Sequence, residues 1–322
     1  MKNRLNILII LVFIFSSCSD FSGNEDAVEA SLKPGPVTRT TTPSTPTGTL
    51  YDLTGVAYGN NTFVAVGQSG TVRISSDNGA TWDNNSTSGT TRWLAEIAYG
   101  NSTFVAVGQS GTHLYSSDDG ATWSVGTWTP TVDITGVAFG NNTFLGVSST
   151  YLTKSTDNGA NWDLECSGLR IYDIAFGGNS KFVGSGGSGA IGITDNGSSC
   201  GLGSSGTTTH YLYGTTSGNN KFLSVGSSGK LILFDNNGSN VSNLTSPVTK
   251  TLYSAAYGNN IFVAVGSKTV VVTNNVGGSA TETENTYSFN DVTFGNGIFV
   301  AVGNDEIIYT SSDGDAWTKV YP

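Results

Sequence analysis

The sequence predicts an all-β fold: a seven-bladed β-propeller of four-stranded antiparallel blades, preceded by a signal peptide and a disordered tether. Three observations predict it. An apolar phrase led by Phe recurs seven times, at Phe63, Phe104, Phe144, Phe182, Phe222, Phe262 and Phe299, spaced 37 to 41 residues apart. A period near forty, built of short strands and Gly turns, means sheets arranged in a ring. In Phe63-Val64-Ala65-Val66 both alternating faces are apolar, so both must be covered, as between neighbouring blades. Finally, the first fifty residues share none of this pattern.

Residues 1–17 read as a signal peptide. Lys2 and Arg4 form its charged start, and Leu5 to Phe15 is apolar apart from Asn6, too short for a comfortable membrane span. The run ends in Phe15-Ser16-Ser17-Cys18, which resembles a bacterial lipobox, and the resemblance implies lipidation of Cys18. Ser19 at the next position implies, by the same resemblance, an outer-membrane lipoprotein, either periplasmic or surface-exposed. Residues 18–49 form the lipidated Cys and a flexible Ser/Thr/Pro tether, because Thr40 to Thr47 cannot bury a core. Residues 50–322 hold the propeller. Without Lys2 and Arg4 the chain carries 12 Lys and Arg against 24 Asp and Glu, a net charge of −12. That balance argues against a nucleic-acid partner. A monomer on a lipid anchor, with a protein or carbohydrate partner, is the expected arrangement.

The first repeat shows how a blade is built. Leu53 to Tyr58 is strand A, and Gly59-Asn60-Asn61 is a tight turn that tolerates positive φ. Thr62 to Val66 is strand B, and Thr71 to Ser75 is strand C. Strand D opens with Thr81-Trp82. The repeats begin with A and end with D, so the ring closes by packing alone or by a strand borrowed from residues 36–49. Two cysteines, Cys166 and Cys200, follow Cys18. An oxidising compartment permits their pairing. Their places in the repeat differ in height by about 13 Å, which argues against it and leaves the pairing open.

The corner between strands C and D carries a motif. Ser75-Ser76-Asp77-Asn78-Gly79-Ala80-Thr81-Trp82 recurs at residues 116–123 and 155–162, and one residue shorter at 311–317. This resembles the Asp box of BNR-repeat, sialidase-type propellers, and is similar to repeats of photosystem II assembly factors. A WD40-like or YVTN-like ring is the same architecture. In that family the box is structural and lies away from the working face. Blades 4 to 6 have lost it, and residues 171–281 hold five Lys against three Asp, which suggests a basic binding sector.

Strand A lies innermost, so its start faces the mouth of the channel. Aligning the copies gives one variable column through Asp52, Trp93, Asp133, Arg170 and Tyr211, and another through Glu96, Asp173 and Asp291. The columns between them read as near-constant and apolar. If the protein is an enzyme, a glycosidase or lyase, then Glu96, Asp173 and Asp291 are the acid–base candidates. If it is a binding scaffold, Arg92, Trp93, Trp128, Asp133, Arg170, His210, Tyr211 and Tyr287 form the rim that stacks on and bonds a partner. Resemblance to sialidases implies an Arg-Ile-Pro sequence and a three-Arg clamp. Neither is present, since the only Arg after Arg4 are Arg39, Arg73, Arg92 and Arg170. Two His, His113 and His210, cannot make a His-rich metal site, and no phosphate loop or Ser-His-Asp order is visible. No cofactor and no metal are expected, and the balance favours a binding scaffold over a catalyst.

Overall fold

The computed structural model describes residues 49–83, 88–126, 131–177, 180–197, 202–204, 208–236, 240–274 and 280–322. The signal segment, Cys18, most of the tether, Trp128 and Cys200 lie outside them. The described residues form seven antiparallel sheets in a ring, one per repeat. Strand A runs Leu53–Gly59 in blade 1, Leu94–Gly100 in blade 2 and Gly136–Gly140 in blade 3. It continues as Ile171–Gly177, Leu212–Gly218, Leu252–Gly258 and Phe289–Gly295 in blades 4 to 7. Six sheets have four strands in the order A-B-C-D, or its reverse as written. In blade 1 three strands are assigned, and Asp83 continues the edge by donating its N–H to Ile74 O at 3.0 Å. The helical content is a set of single 3₁₀ turns such as Gln68–Gly70. Among the described residues no helix is long and apolar enough to cross a membrane.

Seven apolar clusters occupy the seven seams between blades. Phe63 and Ala65 pack with Val300, Val302 and Ile308 of blade 7, while Val64 and Val66 pack with Leu94, Ile97 and Phe104 of blade 2. One strand thus feeds two seams, which is why its pattern is apolar on both faces. Close approach needs a residue without a side chain at the end of strand A. A Cβ on Gly59 would lie 2.0 Å from the Tyr99 ring of the next blade. The following Asn60 and Asn61 have φ of 45° and 59°, the left-handed pair of a tight hairpin.

The ring closes by packing and polar contacts between blades 1 and 7. Tyr51 and Glu306 exchange hydrogen bonds, with Tyr51 N–H to Glu306 Oε1 at 3.2 Å and Glu306 N–H to Tyr51 O at 3.0 Å. The same Glu306 carboxylate pairs with Arg73 at 2.6 Å. Cys166 is disulfide-bonded, so the height argument against a bridge at that residue fails. Cys166 lies on strand D of blade 3, Asp163–Ser167.

Candidate functional site

The two ends of the ring are built differently. At one end the A–B turns of blades 1, 2, 3 and 6 reach the C–D corner of the next blade. Asn60 Nδ2 donates to both Asp119 carboxylate oxygens at 2.9 and 3.0 Å, and Asn101 Nδ2 donates to Asn158 Oδ1 at 2.7 Å. Inside the corner Asp77 accepts the Thr81 N–H at 2.9 Å and the Thr81 hydroxyl at 2.6 Å. Ser75 Oγ accepts the Gly79 N–H at 2.9 Å. The Trp82 indole N–H closes on Gly79 O at 3.2 Å. The corresponding N–H bonds to the corner carboxylate recur at Asp118, Asp157 and Asp313.

At the other end the B–C turn bonds the residue that precedes strand A in five blades. Gln68 N–H donates to Asp52 O, Gln109 N–H to Trp93 O and Ser227 N–H to Tyr211 O, each at 2.9 Å. This end is the mouth of the channel. Strand A is bulged there in six blades: in blade 5 the pairing jumps from Leu212–Gly226 to Gly214–Val225, leaving the Tyr213 backbone out of register. A bulge re-aims the extra side chain. The column at this position reads Thr54, Ala95, Thr135, Tyr172, Tyr213, Tyr253 and Asn290. All of these but Tyr172 line a cavity of about 230 Å³, together with Trp93, Glu96, Asp173 and Ser254. The polar members also tie neighbouring blades: Thr135 Oγ1 donates to Tyr172 O at 2.7 Å, and Asn290 Nδ2 to Leu53 O at 2.8 Å.

The three acids of the next column sit in or beside this cavity. Asp173 accepts the N–H of Ile174 at 2.7 Å and of Thr215, in the next blade, at 2.6 Å. Asp291 accepts the N–H of Val56 at 2.7 Å and the Ser254 hydroxyl at 2.5 Å. Glu96 accepts the neighbouring N–H of Ile97 at 2.9 Å. Burial pushes Asp173 up to about 7 and Asp291 up to about 6, against the N–H bonds that favour the charged form. Burial raises Glu96 as well, and the charges of Asp291 and Asp173 raise it further. Among the described residues no group of three His, Cys, Asp or Glu stands close enough to hold a metal ion.

The structure brings Trp93, Glu96 and Asp173 to the cavity and sets Asp291 at its edge. Arg92 is exposed on the rim and donates to Ser110 O at 3.1 Å. Asp133 accepts the Ser110 N–H at 2.8 Å, so its carboxylate holds a turn of the preceding blade. Arg170 is exposed, and His210 is half-buried with Nδ1 2.8 Å from Thr208 Oγ1. Tyr287 is set apart, packed on Tyr309 of strand C with the Lys319 ammonium 5.4 Å above its ring. Trp128 lies outside the described residues. The suggested basic sector is largely neutralised. Lys181 pairs with Asp195, Lys221 with Asp235, and Lys250 with Glu282 and Glu284.

Sequence reasoning misses the bulged column. Tyr172, Tyr213 and Tyr253 occupy one position in three successive blades, beside the candidate rim residue Tyr211. The columns between the two variable ones are expected to be constant and apolar. This one is neither, and three Tyr in register is the signal that could have found it. Tyr211 is 48% exposed, and Tyr213 and Tyr253 are each 36% exposed.

No family model matches the chain, and no curated protein matches it. Solved structures do. The chain is similar to YCF48 from Cyanidioschyzon merolae at 14% identity and a TM-score of 0.63, over 82% of this chain and 96% of that one. It is similar to YCF48 bound to D1 peptide at 16% identity and a TM-score of 0.65, over 81% and 92%. It is similar to the WD40 β-propeller domain of Doa1 at 15% identity and a TM-score of 0.66, over 84% and 96%. At these identities the likeness is one of fold.

Proposed function

We propose that this β-propeller is a binding or assembly scaffold that takes a protein or glycan partner at its mouth. One observation carries the reading. The mouth gathers exposed aromatic rings, while the acids an enzyme would use are engaged by backbone N–H groups. One similar ring is bound to a peptide, D1, which supports a protein partner. Rigid scaffolds place binding on loops and rims. The test is capture of a purified partner by Ala variants. Trp93→Ala, Arg170→Ala and Tyr211→Ala weaken binding, about thirty-fold at a buried contact. Asn60→Ala, Asn101→Ala and Asn141→Ala do not. The reverse pattern refutes it.

The same proposal has the ring held on the bacterial outer membrane, with residues 1–17 as signal peptide, lipid on Cys18 and the tether to residue 49. The monomer is its working form. Cys18→Ser abolishes labelling by a fatty-acid probe and releases the protein. A wild type that takes up no label refutes the anchor.

A second reading, a glycosidase or lyase, is favoured by one fact: Glu96 and Asp173 line a common cavity and both hold protons more tightly than ordinary carboxyls. Turnover of any glycan that Glu96→Gln abolishes would establish it.

A further inference from the structure

Tyr172, Tyr211 and Tyr213 form a tile rather than a pile. Their centroids are 6.3, 6.2 and 6.3 Å apart, and their planes lie within 20° of one another. In a face-to-face pile the outer pair would stand twice as far apart as neighbours. Equal distances exclude such a pile and leave the rings mutually offset. Tyr253 leans against this tile at 6.2 Å and 56°, making a corner. Tyr213 and Tyr253 also wall the central cavity, as does Trp93. The ring faces at this corner are negative in their quadrupole.

Charge selects the occupant. No Lys, Arg or His lines the cavity among the described residues, whereas Glu96 and Asp173 do, and a cation placed beside these two raised carboxyls draws them to their charged forms. Lys181, Lys221 and Lys250 are committed to carboxylates elsewhere and Arg92 to a carbonyl, while the exposed Arg170 stands on the rim outside the cavity lining. Among the described residues the fold makes one phenol–ammonium contact of its own, Lys319 on Tyr287, at the outer strands. We infer that the aromatic corner at the mouth receives a basic side chain, the Lys ammonium of an extended partner segment, laid on Tyr213 and Tyr253 and facing Glu96. Cation–π attraction and the carboxylates then act on one charge. This rests on the scaffold reading above and names the chemistry of its partner.

The experiment titrates the full chain by calorimetry with hexalysine, and separately with hexaglutamate and cellohexaose. Hexalysine binds, and binding weakens as salt rises from about 20 to about 200 mM. Tyr213→Leu, Tyr253→Leu and Glu96→Gln each weaken it by about tenfold. Asn101→Ala at the opposite end leaves it unchanged. No hexalysine binding, hexaglutamate binding as tight as that of hexalysine, or undiminished hexalysine binding by all three mouth variants overturns the inference. So does cellohexaose binding that Tyr213→Leu abolishes. A partner that needs the mouth but is not displaced by hexalysine overturns this inference alone. A partner indifferent to every mouth substitution overturns the scaffold reading itself.

Discussion

At the C–D corners, Asp118 and Asp313 accept N–H groups of their own turn in contact with water. At the channel, half-buried Asp173 and buried Asp291 accept N–H groups of similar geometry. The corner acids are held below the usual carboxylate range, Asp118 by the Thr122 hydroxyl and N–H, and Asp313 by the N–H groups of Ala316 and Asp315. The channel acids are pushed above it by burial. Donors alone therefore do not set the proton affinity. Access to water decides which effect wins. The corners repeat because the same local bonds make each hairpin. At the channel Asp173 and Asp291 make the same bond to the next blade, at Thr215 and Val56, whereas Glu96 accepts the N–H of its own neighbour Ile97.

The largest effect separating the two ends is at the closing seam. Asp291→Ala leaves the Val56 N–H and the Ser254 hydroxyl without their acceptor, at a cost of about 3 kcal/mol. Asp291→Asn keeps an acceptor and costs less than half of that in urea unfolding. Equal losses from the two substitutions would mean that the bond to Val56 does not hold the seam.

Next comes the pH dependence. Asp173 rises from an ordinary value of 3.8 to about 7 on folding, so between those limits the folded ring binds more protons than the unfolded chain. Stability from this group is full below about pH 4 and is lost as pH rises through about 7. A tenfold change in proton affinity is worth about 1.4 kcal/mol, which makes the decline readable by thermal melts. Asp173→Asn makes it shallower, the remainder coming from Asp291 and Glu96. A wild type that gains stability over that range contradicts the assignment.

The corner has the opposite sign and a smaller size. Asp118→Ala costs about 1 kcal/mol at neutral pH. The difference from wild type shrinks as acid protonates Asp118, because a lowered carboxyl gives its stability above the ordinary range and loses it below. Smallest is Asn60→Gly, which keeps the left-handed backbone, removes an exposed contact to Asp119 and costs about 0.5 kcal/mol in the same melts. A loss at Asn60 as large as that at Asp291 would erase the distinction between the ends.

The fold is legible in the sequence because each blade repeats its own instructions. The Phe phrase reports two covered faces, and Asn60-Asn61 reports the turn. The position of the mouth acids is legible too, since the period places Glu96, Asp173 and Asp291 in one column. The tyrosine tile is not. A bulge between Leu212 and Gly214 breaks the two-residue alternation there, so Tyr213 projects where the regular pleat would not send it. The neutralisation of the Lys-rich arc is also hidden. Lys250 meets Glu282 and Glu284 from 32 and 34 residues away, through strand pairing that no local pattern displays. The contacts of Tyr287 are hidden for a similar reason, being to the outer strands at Tyr309 and Lys319.

The most direct measurement is the titration of individual Asp and Glu side-chain carboxyls by carbon NMR. The account predicts Asp173 near 7 and Asp291 near 6, with Glu96 above the ordinary range. Asp118 and Asp313 titrate below 3.8. Channel and corner carboxyls that titrate together in the ordinary range would contradict the division of labour between the two ends of the ring.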